Sequence, residues 1–135
     1  MMKNTSEWNG YTVYGDAREL DYIACSDGRV NLYKDDILYV LSSEGKNYVT
    51  SAVSANPGDA FNEALTALPC DFDTVTNLII HFSFGNRRLF MSELSSMTDT
   101  LSKATPALEV IWGISPDETL GDSYKVTLLT SIKEI

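Results

Sequence analysis

His81 is the only histidine in the chain, and it stands inside the apolar run LIIHFSF. A zinc site needs three or four convergent ligands, and neither a second histidine nor a CxxC pair is present. His81 is therefore expected to be a strand residue with a satisfied ring. The two cysteines, Cys25 and Cys70, lie far apart in sequence and read as inert buried thiols of a reducing compartment. EGKNY places Lys46 after Gly45, but Val40 stands where a phosphate-cradling Walker loop needs its first glycine, and Asn47 where it needs Ser or Thr. No GxGxxG occurs. The acids of PDETLGD lack the alternating ligand pattern and closing Glu of a calcium loop, and Pro116, Asp117 and Gly121 are ordinary turn residues. Arg87 and Arg88 follow a glycine and are expected to decorate a turn rather than grip a phosphate. These residues supply no catalytic set, no metal set and no cofactor loop, so no enzyme activity, cofactor, metal or bound nucleotide is expected.

The charge balance points the same way. Nineteen Asp and Glu against ten Lys and Arg leave a formal charge of -9, which repels phosphate backbones and anionic membranes. Neither nucleic acid nor a membrane is an expected partner. No basic segment followed by an apolar core opens the chain, and no apolar run reaches membrane-spanning length. A soluble cytoplasmic protein is expected, and the Met-Met start suits a complete gene product. With 135 residues and a hydrophobic share of 44%, the chain has the material for one domain with a real core.

The elements that would hold these residues are legible from period and punctuation. Residues 1–16, MMKNTSEWNGYTVYGD, show no clean period and read as an arm or short irregular strand. Ala17 to Cys25 suits two turns of helix. In KDDILYVLSSE, Ile37, Val40 and Leu41 share a helical face, with Asp35 and Asp36 favouring the N-terminal end and Gly45 the stop. Lys46 to about Ser54 alternates as a strand. NPGDAFNEALTAL carries a cap at Asn56, a proline at the first helical position and a stripe of Phe61, Ala64, Leu65 and Leu68. NLIIHFSFG is apolar at nearly every position, as in a strand covered on both faces. Phe90, Leu94, Met97, Leu101 and Ala104 predict a further helix, ended by Pro106. Two last strands, joined by SPDETLGD, close the chain as an antiparallel hairpin. The expected architecture is α+β: a two-layer sandwich with a mixed sheet of about four strands, helices packed on it, and residues 17–135 as one domain.

VIWGISPDETLGDSYKVTLLTS closely resembles the last hairpin of FtsZ, the bacterial cell-division GTPase related to tubulin. The matching residues are Ile111, Trp112, Gly113, Asp117, Leu120, Gly121, Asp122, Val126 and Thr127. Upstream, NLIIHFSFGNRRLFMSELSSMTDTL resembles that family's buried strand, glycine turn and following helix, with Met91, Ser92 and Glu93 at its start. NPGDAFNEALTAL sits where the family has an acidic, Ala-rich helix. NLYKDDILYVLSSEG resembles its synergy-loop motif, Asn-x-Asp-x-x-Asp, followed by a helix ending in Gly. The resemblance spans Asn31 to about Ser131, roughly three quarters of the chain, and covers the family's C-terminal domain.

Two departures shape what the resemblance implies. Only thirty residues stand before Asn31, with no glycine-rich GTP-binding domain among them and room for only a stub of the family's central helix near Ala17 to Cys25. In the family, the loop enters the next subunit's nucleotide site, where its acids position water against the γ-phosphate. Here Asn31 is kept and Asp36 matches the second acid, with Asp35 beside it, but Tyr33 replaces the first acid. A phenol with a pKa of about 10 supplies no carboxylate charge at neutral pH. The resemblance thus implies a non-enzymatic protein-binding module of the bacterial cytoplasm. Asn31, Tyr33, Asp35 and Asp36 would be its partner-binding residues and FtsZ its partner, in cell division, with self-association as the alternative.

Overall fold

The protein is described here by a computed structural model that covers residues 5–25, 34–42, 45–68, 74–87 and 108–132. The expected helix over Phe90 to Ala104 lies outside the described residues, as do Asn31, Tyr33, Cys70 and Arg88. The elements are β1 (Thr5–Trp8), β2 (Tyr11–Tyr14), α1 (Arg18–Cys25), α2 (Lys34–Leu41), β3 (Lys46–Ser54), α3 (Pro57–Thr66), β4 (Val75–Phe84), β5 (Glu109–Pro116) and β6 (Tyr124–Ile132). A 3-10 turn, Glu118–Leu120, lies between the last two strands.

The sheet has six strands in the order β1-β2-β3-β6-β4-β5, rather than about four. The extra two come from the first sixteen residues. Residues 5–14 form a regular hairpin where an arm or short irregular strand was expected: Thr5 pairs with Tyr14 and Trp8 with Tyr11. Its turn is Asn9-Gly10, with φ of 53° and 89°, the positive-φ geometry that matches strand twist and favours this dipeptide. The hairpin folds back onto its own sheet through a parallel contact of Tyr14 with Tyr48, whose rings stack 5.0 Å apart. Trp8 and Val13 are buried there.

Strand alternation sorts the core into two clusters, because successive side chains leave a strand on opposite faces. Leu78, Ile80, Phe82, Val126 and Leu128 pack with Phe61, Ala60 and Ala64 of α3. Ile79, Leu129 and Val49 pack on the other face with Leu20 and Ile23 of α1 and Ile37, Val40 and Leu41 of α2. Helices on both faces make three layers where two were expected. This is the packing that the unbroken apolar run of β4 demands.

The expected closing hairpin is also corrected. β5 and β6 run antiparallel but do not pair. β5 pairs in parallel with β4, and β6 lies between β3 and β4, antiparallel to both. The link from β5 to β6 therefore crosses the end of β4. There the Asp117 amide donates to the Phe84 carbonyl at 2.7 Å and the Asn86 amide to the Gly121 carbonyl at 2.6 Å. A Cβ on Gly85 would lie 2.2 Å from the Gly121 oxygen, so only glycine permits the crossing.

Several local expectations hold. β3 has the expected bounds. α3 is capped by the Asn56 side chain, which accepts from the Gly58 and Asp59 amides at 2.8 and 3.2 Å, with Pro57 in the first turn. Arg87 serves the chain itself, donating to the Ala55 carbonyl at 3.1 Å with its guanidinium 5.6 Å from the Tyr124 ring centroid.

Candidate functional site

Of the four residues assigned to partner binding, the structure describes two. Asp35 and Asp36 occupy the first turn of α2, where a carboxylate meets the positive end of the helix dipole. Asp35 is exposed and Asp36 half-buried. The burial of Ile37, Val40 and Leu41 against the sheet turns this end of the helix outward. Lys34 reaches back over Trp8, its Nζ 5.9 Å from the ring centroid. Half-exposed Tyr39 donates its hydroxyl to Glu109 Oε2 at 2.7 Å, fixing α2 to the start of β5. The result is an acidic helix start with Asp35 exposed to solvent.

At the other end of β5, a chain of polar groups crosses four elements. Ser115 Oγ lies 2.8 Å from His81 Nε2, and Ser83 Oγ lies 3.3 Å from His81 Nδ1. Tyr22 of α1 brings its hydroxyl to 2.9 Å from Ser83 Oγ and 2.5 Å from Asp117 Oδ2. The other Asp117 oxygen accepts from the Thr119 hydroxyl at 2.6 Å and its amide at 3.0 Å. Lys125 sits beside the chain, its Nζ 4.2 Å from the Tyr22 ring centroid and 2.8 Å from Glu19 Oε2.

Burial sets the electrostatics of this chain. His81, 1% exposed, has its pKa lowered to about 4, first by burial and then by the Lys125 charge. Tyr22 is pushed up to about 12 by burial and by its hydrogen bond to Asp117. Asp117 is held below the usual carboxyl range by the Thr119 and Tyr22 hydroxyls. At neutral pH the chain thus holds a neutral imidazole, an intact phenol and a carboxylate. Ser115 and Ser83 are buried as well, so the Ser-His contact has no open face for a substrate. His81 is a strand residue with a satisfied ring, as its surroundings in sequence suggest.

The partnerships around it carry no local sequence signal, since Tyr22 meets Ser83 across 61 positions and Asp117 across 95. One hint was available: His81 and Ser83 stand two apart in an otherwise apolar strand and so share a face. Among the described residues, no group of three or more His, Cys, Asp or Glu is placed to hold a metal ion. No described helix is long and apolar enough to cross a membrane.

No protein-family model matches the chain, and no curated protein matches it in sequence. Solved structures do match it. An FtsZ dimer from M. jannaschii superimposes with a TM-score of 0.67 at 25% identity, over 83% of this chain and 34% of that one. The chain has the fold of an FtsZ/tubulin C-terminal-like domain. A TubZ four-stranded filament structure gives a TM-score of 0.70 at 13% identity over 87% of this chain. CetZ from Methanosaeta thermophila gives 0.55 at 15% over 73%. The 135 residues span about a third of each of these FtsZ-like chains.

Proposed function

We propose that this FtsZ-like domain is a non-enzymatic binding module. It docks through Asn31, Tyr33, Asp35 and Asp36 on the nucleotide face of an FtsZ subunit and caps the filament, modulating division in the bacterial cytoplasm. The observation that carries this reading is the fold match to FtsZ at 25% identity over most of the chain. The outward acidic turn of α2 adds support, because it leaves Asp35 free to meet a partner. Two of the similar solved structures are described as an FtsZ dimer and as a TubZ four-stranded filament, which supports a reading in terms of subunit docking.

Docked through a loop of the kind that approaches a neighbour's nucleotide, the module occupies the face on which the next subunit would add, and so slows growth. Tyr33 in place of an acid leaves the docked site short of one carboxylate for orienting water, so GTP under the cap is hydrolysed slowly. The test is sedimentation of polymerising FtsZ, together with its GTP turnover, across a range of added protein. A fall in both with increasing ratio is expected. Unchanged pelleting and turnover at stoichiometric excess would remove the proposal.

A further inference from the structure

We infer that the hydrogen-bonded chain from Ser115 to Asp117 is an acid-sensitive latch that holds the N-terminal unit, β1, β2 and α1, on the sheet. Its direction follows from counting hydrogens. Tyr22 has one hydroxyl hydrogen, and the charged, closer acceptor is Asp117 Oδ2 at 2.5 Å. Ser83 therefore donates to Tyr22 across 2.9 Å, which leaves Ser83 Oγ to accept from His81 Nδ1. The neutral ring then carries its hydrogen on Nδ1 and accepts from Ser115 at Nε2. Each link fixes the next, and the chain ends on a carboxylate.

The unit that this chain holds is internally tied. Trp8 Nε1 donates to Asp21 of α1 at 2.8 Å, and Ser6 Oγ donates to the Gly15 carbonyl and accepts from the Ala17 amide. Its ladder contact with the rest of the sheet is confined to Tyr14 against Tyr48. Apolar burial of Trp8, Val13, Leu20 and Ile23 and the polar links of Glu19 and Tyr22 add to that attachment. The described charged and titratable groups near His81 are the Tyr22 ring of α1 and Lys125 of β6, with Asp117 one hydrogen bond beyond Tyr22. Among the described residues β5 contributes only the Ser115 hydroxyl.

Acid acts on His81 and Asp117 in one direction. A second proton on His81 enters at Nε2, opposite the Ser115 hydroxyl, so Ser115 must turn and a cation appears beside Lys125. Protonation of Asp117 weakens the acceptor for Tyr22. Docked, the ring resists protonation to about pH 4; solvated, it accepts a proton near its ordinary value of about 6.5. Protons therefore favour release across that interval.

Amide hydrogen exchange, resolved by residue and corrected for intrinsic rates, tests the latch. In Tyr22→Phe at about pH 7, amides of residues 5–25 should exchange about tenfold faster or more, the loss of one hydrogen bond to a charged group. Those of β3, β4 and β6 should remain the more protected set, since they exchange only through a larger opening. The unmodified chain should show residues 5–25 exchanging ahead of those strands at about pH 4.5. If residues 5–25 stay protected in Tyr22→Phe, or are never less protected than the central strands, the latch does not exist. Should the variant fail to fold, the acid titration of the unmodified chain decides alone by the same two outcomes.

Discussion

At the scale of single residues, His81 should dominate the acid response of stability. The unfolded chain takes up a proton as the pH falls through about 6.5, whereas the folded ring resists until about 4. Stability is therefore highest above that interval and falls through it, by roughly 3 kcal/mol at most. Asp117 adds a separate loss at lower pH, since its depressed folded value stabilises only while the carboxylate is ionised. Urea unfolding between neutral pH and about pH 4.5 measures the first effect, and His81→Gln should flatten it. A slope that survives in His81→Gln would assign the acid sensitivity to other groups. The lone histidine was legible as a strand residue, because its neighbours are apolar. Its surroundings were not, because Ser115 and Tyr22 meet it only through the tertiary fold, and Asp117, which Tyr22 links to the chain, looked like one more turn residue.

At the scale of elements, period and capping carried most of the information. α3 could be placed from Asn56, Pro57 and its apolar stripe, and α2 from Ile37, Val40 and Leu41, because each helix buries one face and its end signals are local. The N-terminal hairpin was missed: Asn9-Gly10 between Trp8 and Tyr11 was its signal, but its four-residue strands are too short to display a convincing period. The crossing from β5 to β6 rests on a single point of backbone contact. Gly85→Ala should drive a Cβ into the Gly121 backbone and cost about 3 kcal/mol, or roughly 10 °C in Tm. Gly10→Ala meets no neighbouring atom within 4 Å and should cost only the positive-φ strain, about 1 kcal/mol. Thermal unfolding of the pair compares them, and equal losses would mean that the crossing tolerates a side chain.

For the whole molecule, strand order was the part that sequence did not expose. Adjacent runs such as β5 and β6 favour a hairpin, yet β4 separates them, and nothing local in SPDETLGD distinguishes a turn from a crossing. The long-range resemblance to FtsZ did carry through, because it rests on landmarks spread over the chain, and solved FtsZ, TubZ and CetZ structures share the fold. What remains is the docking that this shape is proposed to perform. The most direct measurement is an amide chemical-shift map of isotope-labelled protein titrated with unlabelled FtsZ. Docking as proposed predicts saturable shifts concentrated at residues 31–36 and the first turn of α2; shifts confined to another face, or no shifts at FtsZ excess, would contradict it.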